Sequence, residues 1–322
     1  MIFRCYIEPV KNQIEATLLG LAIGDAMGVP VEFVSREILE KDPVIGYRGF
    51  GTHTQAAGTF SDDSSLSFCL VETLIEGYSL DNLAQKMVSW RYEHYWTANG
   101  YAFDCGNNIS EALEKLKNNH SPKYSGNYTE KSNSNGSLMR ILPLVFYLKD
   151  HPLEFRYMMV KEISSLTHAH DRSILACFYL VELAREIMIS NDLGSAFVRH
   201  IGSFKNNCIT LGLGNQEFQH FDRLCDNDFA KVTPSEILST GYVIHTLEAS
   251  VWCLLNSLDY SDAILKAVNL GGDTDTVGCI TGGLAGLFYG LEGQFSLWQN
   301  QLMRSDDIVD LADRFHQKLS IV

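Results

Sequence analysis

The chain has 322 residues, 46% of them hydrophobic, enough to bury a sizeable core, so a folded globular protein is expected. Its 25 basic residues against 39 acidic ones leave a net charge of −14. That balance argues against a nucleic-acid or anionic-membrane partner, both of which need clustered Lys and Arg.

The first thirteen residues, MIFRCYIEPVKNQ, show no apolar core segment and no small-residue cleavage site, so no signal peptide is expected. They read as an N-terminal extension (1–13) ahead of one domain spanning 14–322. Residues 14–27 (IEATLLGLAIGDAM) predict a buried helix, with Gly20, Gly24 and Gly28 four apart. The best strand candidate is 44–50, VIGYRGF, short and punctuated by glycine. Residues 64–76 predict a helix stopped by Gly77, and 80–96 another. Ile109, Ala112, Leu113 and Leu116 mark one apolar stripe on a short amphipathic helix.

Residues 118–134, rich in Asn, Ser and Gly, read as a loop. Helices are predicted over 138–149, 153–165 and 172–189, with 201–233 irregular, then over 235–257, 261–268, 276–289 and 307–320. The longest apolar run, 277–289, falls short of the ~18–20 residues that span a bilayer, so a soluble, cytoplasmic protein is expected. None of the eight cysteines forms a C-x-x-C pair, which points to reduced core thiols.

Glycine recurs every four residues at Gly278, Gly282, Gly286 and Gly290. Each costs about 1 kcal/mol against alanine in a helix, so the stripe implies close approach of another helix. Pairing 14–28 with 276–290 would bring the chain ends to one place. The expected fold is all-α, a single multi-helix domain.

Two acidic motifs carry the chemistry. Ser61-Asp62-Asp63 precedes one apolar helix, where capping and the helix dipole give a purely structural explanation. Asp273, Asp275 and Thr276 open another, behind the diglycine Gly271-Gly272, which permits tight backbone geometry. Two copies of one arrangement suggest four converging carboxylates, which would raise one another's pKa values unless countered. Two divalent cations balance four carboxylates, and oxygen-only ligands select Mg²⁺ or Mn²⁺. Such a pair can hold substrate oxygens and activate water for hydrolysis.

The ordered segments GLAIGDAMGVPVEF (20–33), GTFSDDSSLSF (58–68), FDCGNN (103–108), SNGSLMR (134–140), SSLTHAH (164–170), TGYVIHTLEASVW (240–252) and AVNLGGDTDTVGCITGGLAGLFYG (267–290) resemble the ADP-ribosylglycohydrolase family, over residues 14–290. The resemblance implies an all-α fold of that type and removal of ADP-ribose from a protein side chain, arginine above serine or a small-molecule conjugate. It implies metal ligation by Ser61, Asp62, Asp63, Asp273, Asp275 and Thr276, and catalytic roles for Asp104 and for Glu32 at the entrance. Asn135, Gly136, Ser137, Tyr242, Gly271 and Gly272 would bind substrate, with amides of 134–137 and 271–274 holding the pyrophosphate.

Ser64 stands where the family usually has Thr, and His245 where Asp is frequent. His168 and His170 form an H-x-H pair, read as structural beside an oxygen-rich site. Arg140 would meet a phosphate or pair with a carboxylate. The expected partner is an ADP-ribosylated protein. A rival reading makes the chain an immunity protein that binds a cognate ADP-ribosyltransferase toxin through residues 1–13.

Overall fold

The computed structural model describes the backbone of residues 4–213, 216–290 and 294–321, with side chains from Val10 onward; the thiol of Cys5 lies outside the described residues. Fourteen α-helices follow one another among them. They are α1 (Arg4–Gly28), α2 (Arg36–Leu39), α3 (Asp62–Glu76), α4 (Leu80–Glu93), α5 (Asn107–Lys117), α6 (Leu144–Leu148) and α7 (Leu153–Ser165). After these come α8 (Asp171–Met188), α9 (Leu193–Thr210), α10 (Val243–Leu255), α11 (Tyr260–Asn269), α12 (Thr274–Tyr289), α13 (Phe295–Gln299) and α14 (Ser305–Leu319). The described residues contain no strand, and the fold is all-α as expected. Where 44–50 was expected as a strand, there is one isolated bridge, Phe50 to Gln55.

The α1–α12 pair is the axis of the molecule. The helices run antiparallel: a Cβ on Gly20 would fall on the carbonyl oxygen of Gly282, one on Gly24 on that of Gly278, and one on Gly28 on the backbone of Asp275. Glycine's entropic cost is accepted here because no side chain fits between the two backbones. By length and composition, Val10–Val31 could cross a membrane, yet 94% of its most apolar window is buried inside the fold. The apolar sequence of α1 is thus accounted for by core packing.

Four boundaries differ from the sequence reading. Helix α1 begins at Arg4, and residues expected in an extension pack on the domain: Lys11 pairs with Asp313 at 2.8 Å and Gln13 donates to the Met188 carbonyl at 3.2 Å. Part of the segment read as irregular is α9, capped by Asp192, whose buried Phe197, Ile201, Phe204 and Cys208 recur at helical spacing. The helix expected over 235–257 starts only at Val243, because 237–242 is an extended crossing that pairs with other loops; Asp273 N–H donates to Ser239 C=O at 2.8 Å, and Asn135 N–H to Gly241 C=O at 3.0 Å. The helix predicted from 138 is limited to α6, after Pro143, which has no N–H to contribute.

Candidate active site

Because α1 and α12 are antiparallel, the C-terminal end of α1 lies beside the N-terminal end of α12, and α3 starts against both. Asp62, Asp63, Asp273, Asp275 and Glu32 are all under 9% exposed. Glu32, Asp62, Asp63, Asp104, Asp273 and Thr276 line one cavity of about 410 Å³. Two sets of acid oxygens knit it together. Single oxygens of Asp25, Asp63 and Asp275 lie within 4.8 Å of one another, as do atoms of Glu32, His53, Asp104 and Asp275.

Capping and the acid cluster are separated here. Ser61 caps α3, its Oγ accepting from Asp63 N–H at 3.2 Å. Asp25, fully buried in α1, accepts from the amides of Ser61 and Ser64 at 2.9 and 3.0 Å and from the Ser64 hydroxyl at 2.5 Å. With those amides taken, Asp62 and Asp63 are not needed as caps. Asp63 Oδ2 and Asp275 Oδ2 are buried with no hydrogen-bond partner among the described residues. Unpartnered buried carboxylate oxygens are costly unless something neutralises them, and an all-oxygen donor set fits a hard divalent cation.

Burial drives the electrostatics. It pushes Asp62, Asp63 and Asp275 well above the usual carboxylate range, and their acidic neighbours push the same way. Asp25 rises to about 7 through burial, against the hydrogen bonds from Ser64 and Ser61. Glu32 also rises to about 7 through burial, opposed by the bond from His53. Asp104 is raised by burial, and His53 is raised by its bond to Glu32.

The residues expected to bind substrate fall into two groups. Asn135 and Gly136 line the cavity, and Asn135 Nδ2 donates to Asp273 Oδ2 and to Thr246 Oγ1, both at 2.9 Å. Ser137 instead points into the core, where its hydroxyl accepts from Ser164 Oγ at 3.0 Å. Tyr242 stands behind Gly241, its hydroxyl taking a bond from Arg172 at 3.1 Å.

Gly271 and Gly272 have φ of +71° and +74° and pack on Arg36 and Ser239. Their amides and that of Asp273 donate to Val268, Val34 and Ser239, so a pyrophosphate cradle at 271–273 is not available. The diglycine's role is to let the second acid motif approach the 34–36 segment.

Among the described residues Arg140 pairs with no carboxylate, and its burial keeps it from the cavity surface. Fully buried, it donates to the carbonyls of Gly136 and Ile163 and to Thr167 Oγ1, bracing the 135–137 turn from beneath. His168 bridges Ser134 Oγ and Thr167 Oγ1, both at 2.8 Å, and burial lowers its pKa to about 3. His170 caps α8, and His245 bonds Thr240 at 2.8 Å. His168 is thus part of the internal hydrogen-bond network, while His170 Nε2 lies 3.4 Å from Glu130 Oε2, away from the acid-lined cavity.

Three residues of the site escaped the sequence reading. Asp25 was detectable as a lone charge inside an apolar helix, which requires a buried partner. Lys131, at the cavity rim, and His53 sit in single 3-10 turns, Glu130–Ser132 and Gly51–His53, too short to carry a periodic signal.

A model of the ADP-ribosylglycohydrolase family matches residues 8–320. The chain is 30% identical over 313 residues to the ADP-ribosylarginine hydrolase Tri1 of Pseudomonas putida (strain GB-1), covering 97% of this chain and 80% of that one. It is 25% identical over 297 residues to the ADP-ribosyl-[dinitrogen reductase] glycohydrolase of Rhodospirillum rubrum, covering 91% of each. Among solved structures, an ADP-ribosylglycohydrolase-related protein complex superposes with a TM-score of 0.77 at 27% identity, over 96% of this chain and 98% of the other. Fold, acid-lined cavity and relatives together define an all-helical hydrolase of glycosidic bonds. The chain belongs to the ADP-ribosylglycohydrolase family.

Proposed function

We propose that this protein removes ADP-ribose from modified arginine side chains of a protein substrate, in a site loaded with two Mg²⁺ or Mn²⁺ ions. The observation that carries the reading is the convergence of Asp62, Asp63 and Asp273 on one cavity, with Asp275 clustered against Asp63 and buried oxygens of Asp63 and Asp275 left unpartnered. Those four carboxylates, with the hydroxyls of Ser61 and Thr276, would hold the metals. When bound, the metals neutralise the acids and supply Lewis acidity toward ribose hydroxyls and water.

The chain's own groups supply the rest. Hydrolysis breaks the bond from C1″ to the guanidine nitrogen and forms one from C1″ to a water oxygen. Asp104, at the cavity wall, accepts the proton that water loses. Glu32, held near pKa 7, donates a proton to the departing nitrogen. Both carboxylates also stabilise the positive charge that develops on the ribose.

The cavity is polar. Lys131 and Ser134 belong to its lining, the Lys131 ammonium being suited to the pyrophosphate, as do Glu32 and Phe33. Phe33 is 70% exposed with φ of +62°, a conformation unusual for a bulky residue and typical of functional sites. An exposed ring beside a carboxylate suits a guanidinium, which stacks on aromatic faces while pairing with acids. This supports arginine over serine as the attachment point. The reading requires an ADP-ribosylated protein as partner and implies a transferase that installs the group.

The test is a release assay on arginine-linked and serine-linked ADP-ribose, with chelator and with Mg²⁺ or Mn²⁺. Metal-dependent release from arginine is expected. Release from serine alone would overturn the linkage, and full activity under chelation would overturn the metal site.

A further inference from the structure

We propose that His53 is a positioning residue of this site, a single imidazole that fixes the separation and aim of the Glu32 and Asp104 carboxylates. The inference rests on the assignment of those two carboxylates to the reaction. His53 Nε2 is hydrogen-bonded to Glu32 Oε2 and lies 3.8 Å from Asp104 Oδ1. Among the described residues it is the only hydrogen-bond partner of the Glu32 carboxylate.

The two acids come from separate segments, Glu32 just after α1 and Asp104 just before α5. They are two acids in one poorly solvated cavity, and nothing in either segment alone sets the distance between them. A donor placed between them does. The ring also packs on Phe103, the residue preceding Asp104, with centroids 5.4 Å apart. One side chain therefore touches both segments, by a hydrogen bond to one and a ring contact to the other.

The turn that carries His53 is built to hold it in place. Phe50 and Thr54, on either side of the Gly51–His53 turn, have φ of +69° and +56°. Strained backbone of this kind persists only when its surroundings over-determine it. Here they do. A Cβ on Gly51 would collide with the Pro30 carbonyl, and Thr52 Oγ1 donates to the Glu32 carbonyl at 2.7 Å. Gln55 Nε2 donates to the His53 carbonyl at 3.0 Å and is itself held by Asn99 at 2.9 Å. The turn is thus docked on the same 30–32 segment whose carboxylate the imidazole grips. Polar partners that orient reacting carboxylates typically cost about 10–100-fold in activity when removed.

The experiment compares wild type, His53→Ala and His53→Gln, each Mn²⁺-loaded, on an ADP-ribosyl-arginine peptide. Free ADP-ribose binding, Mn²⁺ affinity and thermal melting are measured alongside. For His53→Ala, kcat should fall about 10–100-fold. KM, ADP-ribose affinity and Mn²⁺ affinity should stay within about threefold, because ligand and metal are held by other residues. His53→Gln should recover to within about fivefold of wild type, since its Nε2 donor can take the place of the imidazole Nε2.

The proposal is overturned if His53→Ala keeps its kcat, or if His53→Gln is as slow as His53→Ala while both melt like wild type. Weakened Mn²⁺ binding in both variants would make His53 a metal ligand and also overturn it. Failure of the underlying reading looks different: Glu32→Gln and Asp104→Asn would both remain fully active.

Discussion

Asp25 caps a helix that it does not belong to. From the last turn of α1 its carboxylate receives the Ser64 hydroxyl at 2.5 Å and the amides of Ser61 and Ser64, which open α3. An N-cap side chain normally comes from the residue preceding its own helix. With a remote residue in that role, Asp62 and Asp63 can face the cavity. Asp25→Ala should therefore destabilise the fold by about 2–4 kcal/mol, the cost of leaving buried donors unpaired. Mn²⁺ affinity should fall as well, because the start of α3 loses its anchor. Denaturant unfolding and metal titration check both; unchanged stability would show that these amides find another partner.

Contact between α1 and α12 sets the second expectation. A Cβ at Gly24 would fall on the Gly278 carbonyl oxygen, with backbone on both sides unable to yield cheaply. Gly24→Val should cost about 1–3 kcal/mol or more through overpacking. It should also loosen the metal site, whose two acid motifs are brought together by this helix pair. Alanine at Gly77, where a Cβ would meet nothing within 4 Å, is the control for Cβ crowding. Its φ of +100° still carries backbone strain, so a modest loss is expected there, with metal affinity intact. Equal loss of metal affinity at both positions would show that the helix contact does not set the site.

The helix pair was legible in the sequence because glycine at four-residue spacing has few other physical explanations. The doubled acid motif was legible for a similar reason. The role of Asp25 was legible only in part: a charge inside an apolar helix signals a buried partner, but Ser61 and Ser64 lie more than thirty positions away and only folding brings them to it. The same limit misassigned the amides of 271–273, which looked free as a glycine turn but are bound to Val34, Ser239 and Val268. Helix α9 was obscured by Gly194, Gly202 and the Asn206-Asn207 pair, which diluted a genuine apolar stripe.

Metal and proton should compete for this site. Asp25 and Glu32 both have folded pKa values of about 7, raised from 3.8 and 4.5. A carboxyl with a raised folded pKa binds its proton more tightly in the native state. Its stabilising contribution is full below the unfolded value and is lost as pH rises through about 7. Asp62, Asp63 and Asp275 are shifted in the same direction. Metal-free protein should therefore weaken as pH climbs from about 4 to 8, the range in which metal binding strengthens. The difference in melting temperature between Mn²⁺-loaded and chelated protein should widen over that range, a comparison in which exposed carboxylates cancel. A constant or shrinking difference would contradict ligation by these acids.

Asp104 separates binding from chemistry. It stands at the cavity wall with φ of +56°, partly exposed, while the proposed metal ligands are buried deeper. ADP-ribose would be held by the metals and by the Lys131 part of the cavity, so Asp104→Ala should retain it with little change in affinity. Turnover should fall about 10²–10⁴-fold, the usual effect of losing one well-placed catalytic group. That is roughly 3–5 kcal/mol in the transition state at 1.36 kcal/mol per decade. Interactions confined to the transition state leave ground-state binding largely untouched, so the two measurements should diverge. Calorimetry with free ADP-ribose gives the affinity, and release from arginine-modified protein gives the rate. If both fell together, Asp104 would be a binding or structural residue. If neither changed, the proton acceptor would have to be sought among the other carboxylates, with Glu32 the nearest alternative through their shared contact with His53.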